Sequence, residues 1–206
     1  GTAQVKDLSR VANGDDSIDT DEGYQGKIQH AFVMLGSYGH HGTEMDSKTN
    51  GDLDSKPRSF PQLYNALFVG QKGIPQAKLT AAASSDDSDS GLMRLREGTG
   101  GEFGNLVVTN VNSNAVGLYM NDCASEVRTQ EKPADGGPNY LWFSANNVVY
   151  GPGGSFLLEQ GCEGVKTVTQ ANPALRIMPT DADEFSDVVD PRLSEASPAY
   201  QDVDAA

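Results

Sequence analysis

The stretch Leu63-Tyr-Asn-Ala-Leu-Phe-Val69 decides the fold, because segments of the same form recur along the chain. Three segments align with it: Ile28-Gln-His-Ala-Phe-Val-Met34, Phe103-Gly-Asn-Leu-Val-Val-Thr109 and Phe143-Ser-Ala-Asn-Asn-Val-Val-Tyr150. Successive segments start 35, 40 and 40 residues apart, and the last one carries one extra residue. Each segment is short, prone to β-structure and bounded by Gly, Pro or Asn, which predicts a β-strand.

Shorter stretches of alternating apolar and polar residues lie between these segments. They occupy residues 17–21, 43–46, 92–96, 118–121 and 156–159, so short and long strands alternate. Helical periodicity is nearly absent, and a repeat of about 20 to 50 residues with more than one strand is typical of a solenoid. The pattern predicts an all-β, right-handed parallel β-helix of about four coils with long loops. A β-sandwich is the alternative, but Asn-Gly and Asp-Gly hairpin signals are poorly placed for it.

Composition limits the classes of function. The chain has 206 residues, a formal net charge of −14 and 37% hydrophobic residues, which is enough for a core in a solenoid domain over residues 1–180. Residues 181–206 form an acidic C-terminal tail with eight acids and one base. The negative charge argues against nucleic acid, which proteins bind through Lys and Arg, and no apolar run approaches the roughly 20 residues of a membrane span. The predicted partners are therefore protein, further copies of the chain through solenoid faces or ends, or polysaccharide.

One position of the repeat is polar in every segment. An Asn within an apolar strand is costly unless its amide has a partner. Stacked Asn side chains supply such partners to one another along a ladder, or to the backbone at a bend. The alternative is that each Asn marks a separate turn. The predicted structural ladder consists of His30, Asn65, Asn105 and Asn146.

Several motifs, in their order along the chain, resemble one group of proteins. They are Asn13-Gly-Asp-Asp-Ser-Ile-Asp-Thr-Asp-Glu-Gly-Tyr-Gln-Gly-Lys-Ile-Gln29, Pro57-Arg-Ser-Phe-Pro-Gln-Leu63, Leu95-Arg-Glu-Gly-Thr-Gly-Gly101 with Asn105-Leu-Val-Val-Thr109, and Asp190-Pro-Arg-Leu-Ser-Glu-Ala-Ser-Pro-Ala199. Together they are similar to bacterial surface or secreted parallel β-helix proteins of the pectin-lyase-like type. The resemblance implies an extracellular or cell-surface location. It also implies that further coils precede residue 1, so that the chain is the C-terminal part of a longer solenoid.

An acidic cluster accompanies the first short strands. Asp19 and Asp21 alternate along a predicted strand and therefore share a face, and Asp46 follows the equivalent strand of the next coil. Carboxylates and loop carbonyls are the oxygen ligands that Ca²⁺ takes. The alternative is a solvated acidic edge. The predicted calcium ligands are Asp15, Asp16, Asp19, Asp21, Glu22 and Asp46.

A catalytic interpretation is the alternative to a non-catalytic one. Polygalacturonase-type glycoside hydrolases place an Asp-Asp pair, a Gly-His-Gly and an Arg-x-Lys on successive coils, and the chain is similar at 14–16, 38–42 and 94–96. In that chemistry one carboxyl group protonates the glycosidic oxygen and others activate water. The coil expected before the Asp-Asp pair is largely lacking, and the interval from His41 to Arg94 is stretched. The catalytic residues of this alternative are Asp15, Asp16, His40 and His41.

Aromatic and sulfur-containing side chains supply two further predictions. Tyr64, Tyr119 and Trp142 form an outer aromatic strip suited to carbohydrate or a partner protein, or else they pack in the ordinary way. Cys123 and Cys162 form one disulfide if they face each other, or are two isolated core residues.

These observations favour a non-catalytic β-helix module, extracellular or on the cell surface, for adhesion, matrix formation or assembly of filaments or complexes, with calcium as a stabilising ion. The alternative is a polysaccharide-active enzyme, either a polygalacturonase-like glycoside hydrolase or a lyase, or a carbohydrate-binding module.

Overall fold

The computed structural model describes residues 1–36, 41–48, 50–70, 91–109, 116–120, 140–144, 146–149, 171–177 and 190–200. In these residues nearly all regular structure is β-strand, and short strands alternate with long ones along the solenoid. The predicted all-β class is confirmed.

The long strands form the first sheet, in which neighbouring strands run parallel. Its order is β1 (Val5–Val11), β3 (Lys27–Met34), β5 (Gln62–Val69), β7 (Gly101–Thr109) and β10 (Val148–Val149), and β9 (Leu141–Phe143) pairs with the start of β7. Ile28 lies opposite Leu63, and Leu63 opposite Phe103. Phe103 in turn lies opposite Phe143 on β9. This register is the alignment of the sequence repeat, so the predicted stacking of the strands is confirmed.

The short strands form the second sheet, which is also parallel. Its order is β2 (Ile18–Thr20), β4 (Thr43–Met45), β6 (Gly91–Leu95) and β8 (Val116–Met120). Because each of these coils contributes one strand to the first sheet and one to the second, the chain winds as a parallel β-helix, as the repeat predicts. A right-handed winding is the one that parallel crossovers take in about 98% of cases.

Each long strand bends at the polar position of the repeat. Asp7, His30, Asn65 and Asn105 all have a left-handed backbone, with φ between 54° and 58°. Asn, Asp and His adopt this conformation more readily than other residues with a side chain. The left-handed residue resets the alternation of the strand, so that positions 63 and 66 are both buried although they are three positions apart. The strand thereby turns around the core without a loop.

Side chains from both sheets fill the interior. Leu63 and Phe103 of the first sheet and Met45 and Leu95 of the second have no exposed surface. The rings of Phe103 and Phe143 stack with their centroids 4.7 Å apart. Burying a side chain of this kind stabilises a fold by about 1.5–3 kcal/mol, so the inward rows hold consecutive coils together.

Arg58 joins two of the segments that connect the sheets. Its guanidinium donates to the carbonyl of Gly98 and to Asp54, the latter at 2.6 Å. Its Cζ lies 4.2 Å from the centre of the Tyr140 ring. The Arg58 side chain is 6% exposed, and it therefore links consecutive coils from within the protein.

The last described segments add an antiparallel pair. β11 (Leu175–Ile177) pairs with β12 (Asp190–Leu193), and a 3-10 helix over Pro198–Tyr200 follows. This pairing joins residues on both sides of the predicted division between 1–180 and 181–206. The division itself stays a prediction.

Candidate functional site

Two rows of charged side chains lie on the outer face of the second sheet. Asp19 of β2 lies opposite Glu44 of β4, which lies opposite Arg94 of β6. Since alternate residues of a strand point to opposite faces, these side chains point away from the buried Met45 and Leu95. Asp46 and Arg96, which directly follow β4 and β6, form the second row. The carboxylate–arginine cluster, as we name this group, consists of Asp16, Asp19, Glu44, Asp46, Arg94 and Arg96.

Arginine side chains pair with carboxylates within the cluster. Arg94 Nη1 lies 2.8 Å from Glu44 Oε1, and Arg96 Nη2 lies 3.0 Å from the same oxygen. Arg96 Nε also donates to both oxygens of Asp46, at 2.9 and 3.1 Å. The side chains of Arg94 and Glu44 are 3% and 14% exposed. In such a partly buried network, removal of one partner leaves a costly unpaired charge.

Asp16 joins the cluster from the bend that precedes β2. Its Oδ1 accepts the backbone N–H of His41 at 2.8 Å, and its carboxyl group forms a side-chain hydrogen bond with Glu44. Two carboxyl groups bond in this way only when one of them holds a proton, because an ionised carboxylate has no donor. The contact with Asp16 therefore favours the protonated form of Glu44 and raises its pKa, as a neighbouring carboxyl group does.

Burial raises the pKa of the carboxyl groups of this cluster above the ordinary values of Asp and Glu. It raises the pKa of Glu44 to about 7, aided by the hydrogen bond and negative charge of Asp16 and opposed by Arg96 and Arg94. Burial also raises the pKa of Asp46 to about 7, against the opposing charge of Arg96. A carboxyl group whose pKa lies near 7 can donate or accept a proton at neutral pH.

The remaining predicted calcium ligands lie beside this network rather than in it. Asp15, Asp21 and Glu22 are exposed, and Asp21 Oδ1 accepts the backbone N–H of Glu22 at 2.6 Å. Asp16 and Asp46 are bonded to the groups described above. Within the described part of the chain, no three His, Cys, Asp or Glu side chains are arranged to hold a metal ion. The calcium site stays a prediction.

The catalytic alternative needs the Asp-Asp pair and a histidine to share one open groove. His41 is fully buried, and its backbone N–H donates to Asp16 Oδ1. Asp15 is exposed, and His40 lies outside the described residues. The structure thus brings Asp16 together with the backbone of His41 and with the side chain of Glu44. The catalytic assignment stays a prediction.

A second candidate surface lies on the outer face of the first sheet. Trp142 is 40% exposed, whereas the next residue, Phe143, is buried. In the parallel register Trp142 lies beside Glu102, Glu102 beside Gln62, and Gln62 beside Lys27. We name these four aligned side chains, which cross four strands, the Trp142 face.

Tyr64 borders the Trp142 face. Glu102 Oε2 accepts hydrogen bonds from Gln62 Nε2 at 2.7 Å and from Tyr64 Oη at 3.5 Å. A Cβ at Gly104 would lie 2.5 Å from the Tyr64 ring, so this glycine leaves the space that the ring occupies. Tyr119 lies on β8 of the second sheet. The three aromatic residues of the predicted strip therefore do not share one sheet.

The ladder residues stack in consecutive coils. Asn105 Nδ2 donates to Asn65 Oδ1 at 2.9 Å, and His30 Nδ1 lies 3.3 Å from Asp7 Oδ1. Asp7 pairs with this row through the register of β1 and β3, and the sequence pattern did not reveal it. The row of side-chain contacts at the bends therefore begins at Asp7, one coil before the first residue of the predicted ladder, His30.

The extra residue of the fourth segment changes the contact at the bend. Asn147 Oδ1 accepts the backbone N–H of Leu106, and Asn147 Nδ2 donates to the carbonyl of Phe103, both at 2.9 Å. The predicted ladder residue Asn146 is half-buried beside it, and its own backbone N–H bonds to Ser144 Oγ. An amide thus still bridges the two coils, but through the backbone of the preceding strand.

Sequence reasoning did not single out Glu44, Glu102 or Gln62. A signal for Glu44 was present, because the stretches 43–46 and 92–96 carry opposite charges at equivalent outward positions. The signal becomes visible only once the register of β4 and β6 is known. The two cysteines, Cys123 and Cys162, lie outside the described residues, and their disulfide stays a prediction.

A family model described as a pectate-lyase-like β-helix domain matches residues 1–135. The chain belongs to this family. The matched part of this pectate-lyase-like β-helix contains the whole carboxylate–arginine cluster, whereas Trp142 follows it. Comparisons with curated proteins and with solved structures find no match. Among the described residues, no helix has the length and apolar character needed to cross a membrane.

Proposed function

We propose that this chain is a non-catalytic module, extracellular or at the cell surface, that holds polysaccharide in adhesion or matrix assembly. The observation that carries the proposal is the Trp142 face. An exposed indole lies there in register with a carboxylate, an amide and an ammonium group across four parallel strands.

The chemistry of the Trp142 face fits a sugar chain. An aromatic ring packs against the apolar face of a sugar ring, while Glu102, Gln62 and Lys27 offer both donors and acceptors to hydroxyl groups. Neighbouring strands lie about 4.8 Å apart, so the polar groups form a flat, regularly spaced row. A flat row of this kind suits a polymer better than a small molecule, which needs a concave site.

The carboxylate–arginine cluster supports the non-catalytic part of the proposal. Glu44 and Asp46 both bond to arginine, and Arg94 is almost completely buried. The arginines offset part of the cost of burying these carboxylates, although burial still raises the pKa of both groups. We therefore assign the cluster to the stability of the second sheet.

Replacement of Trp142 tests the proposal. Trp142→Ala should weaken binding to a retained polysaccharide roughly fivefold to tenfold in affinity electrophoresis, because a stacked aromatic ring contributes about 1 kcal/mol or more. Val11→Ala removes another exposed apolar side chain, 46% exposed and outside the Trp142 face, and should leave binding unchanged. Retention of no polysaccharide in a broad panel, or equal retention by both variants, would overturn the proposal.

Glycoside hydrolysis is the second candidate function, because Glu44 lies beside the carboxyl group of Asp16 and burial raises the pKa of Glu44 to about 7. A carboxyl group with a raised pKa is the kind of general acid that protonates a glycosidic oxygen. Glu44→Gln keeps the size of the side chain but carries no titratable proton. If the wild type releases reducing ends from a polysaccharide, this variant should be at least about a hundredfold slower, while Glu195→Gln, at an exposed glutamate outside the cluster, should retain the activity. A wild type that releases none removes this candidate.

Calcium binding and self-assembly extend the proposal. The exposed carboxylates Asp15, Asp21 and Glu22 lie close together in the chain and support calcium as a stabilising ion, in which case a chelator should lower the melting temperature. Solenoids offer flat faces and end coils for lateral or end-to-end contacts. Size and shape in solution, measured by scattering, would show a filament or complex if the module assembles.

A further inference from the structure

A cavity of about 400 Å³ lies between the C-terminal segment and the bent region of the first sheet. β12 and the 3-10 helix form one wall, and strands β3, β5 and β7 form the other. The volume falls within the range of about 300–1,000 Å³ typical of small-molecule sites. The lining residues that matter here are His30, Phe32, Asn65, Leu67, Asn105 and Tyr200.

The sheet wall of the cavity is apolar although it belongs to the outer face of the solenoid. Phe32, Leu67 and Val107 lie opposite one another in the parallel register, and all three line the cavity. They point outward, because the residues that follow Phe32 and Leu67, Val33 and Phe68, are fully buried in the core. This row is therefore an apolar surface on which a ligand can pack.

A polar row runs along the same wall, formed by His30, Asn65 and Asn105 of the bends. Each Asn amide has two donors and an acceptor oxygen, and the bond between Asn105 and Asn65 fixes the position of both amides. On the opposite wall, Tyr200 is 57% exposed and its Oη donates to the carbonyl of Leu193 at 3.3 Å. The cavity thus combines an apolar floor, a hydrogen-bonding edge and an aromatic ring.

The charge of the lining residues selects an uncharged ligand. Among the described residues that line the cavity, none is Lys, Arg, Asp or Glu. The ring of His30, one of the lining residues, lies 3.3 Å from the carboxylate of Asp7. An anionic ligand would lose hydration here without gaining a positive partner, which is costly.

From these features we infer that the cavity binds an uncharged sugar residue that carries a methyl group, as an acetamido sugar or a 6-deoxy sugar does. The apolar row accommodates the methyl group, the amides of the bends bond to hydroxyl or acetamido groups, and Tyr200 covers the ring. The inference rests on the proposed polysaccharide binding and deepens it. The cavity would select which sugar the bound polymer carries, while the Trp142 face holds the polymer.

Titration of the intact chain with four sugars tests this inference. N-acetylglucosamine or fucose should bind roughly fourfold tighter or more than glucose, because burial of a methyl-sized group accounts for about that factor. Glucuronate should bind most weakly. Saturation-transfer NMR should show the methyl protons in closest contact with the protein. Whether the acetamido sugar or the 6-deoxy sugar binds more tightly identifies which of the two the cavity selects.

A cavity-filling variant locates the binding. Leu67→Trp fills the space from the sheet wall and should abolish binding of the methyl-bearing sugar, whereas Met34→Trp places the same side chain on the outer face beyond the cavity and should leave binding unchanged. Ala199→Trp fills the cavity from the opposite wall and serves if Leu67→Trp does not fold. Equal affinity for all four sugars, or binding that survives a filled cavity, would overturn the inference.

Trp142→Ala separates this inference from the proposed function. If polysaccharide retention depends on Trp142 but no methyl-bearing sugar binds, the Trp142 face stands and the cavity inference fails. If the methyl-bearing sugar binds in the cavity while retention does not depend on Trp142, the proposed function fails in its present form and the cavity site stands.

Discussion

Glu44 and Arg94 meet across β4 and β6, where 14% and 3% of their side chains are exposed. A charge pair in such a position has given up most of its contact with water, so its effect on stability depends on the presence of both partners. Arg96 bonds to Glu44 and Asp46 at once, which makes the residues a network rather than separate pairs. Single and double replacements should therefore differ in their effects.

Arg94→Leu should lower the free energy of unfolding by about 3 kcal/mol, because Glu44 then keeps its burial but loses its closest cation. Adding Glu44→Leu to the same chain should recover much of the loss, since the unpaired carboxyl group is removed. Urea unfolding of the three variants measures both effects. Arg192→Leu is the control: the Arg192 side chain is 70% exposed in its pair with Asp190, and surface pairs of this kind contribute little. A similar midpoint for Arg94→Leu and Arg192→Leu would contradict a stabilising network.

At the scale of the elements, the bend within each long strand shapes the solenoid. Asn65 has a φ of 56° and accepts a hydrogen bond from Asn105, so one side chain serves two purposes. It tolerates the left-handed backbone, and it ties one coil to the next. Most residues with a side chain are disfavoured in this conformation by contact between Cβ and the carbonyl oxygen.

Asn65→Ala should lower the stability by about 1–2 kcal/mol, because it loses the hydrogen bond to Asn105 and is strained at a positive φ. Asn65→Gly should fall between Ala and the wild type, since glycine adopts this backbone freely but also lacks the amide. Thermal unfolding of both variants gives the order. If Ala proves as stable as Gly, the backbone part of this account is wrong.

At the scale of the whole molecule, the protein has a net charge of −14. Burial raises the pKa of some of its carboxyl groups above the ordinary range. Glu44 and Asp46 have a pKa of about 7 in the folded protein, above their ordinary values of 4.5 and 3.8. Between those values and pH 7 the folded state therefore binds more protons than the unfolded state. Linkage then requires stability to decrease as the pH rises through this window.

The melting temperature should accordingly fall by several degrees between about pH 4 and about pH 7.5, with each carboxyl group contributing on the order of 1–3 kcal/mol. The double variant Glu44→Gln and Asp46→Asn should lose most of this dependence. The exposed pair Asp15→Asn and Asp21→Asn is the matched control, which removes the same formal charge and should keep the dependence. A melting temperature that is flat or rises between pH 5 and 7.5 in the wild type would contradict the prediction.

The strand β1 shows where the sequence pattern stops being informative. Val5–Val11 is mostly exposed at the edge of the first sheet, so its residues are not constrained to the apolar repeat of β3 and β5. The candidate site was predictable to a similar degree. Asp16 and Asp46 stood out as acidic positions, whereas the role of Glu44 depends on the arginine opposite it.

The sequence by itself determined the period of the coils, the inward faces of the long strands and the polar position at each bend, because these features depend on spacings within single segments. Only the tertiary structure decided which charges meet. Glu44 and Arg94 are 50 residues apart in the chain, and they bond because one turn of the solenoid returns the backbone to a neighbouring strand. The burial that raises the pKa of Glu44 likewise belongs to the assembled sheet and not to any residue alone.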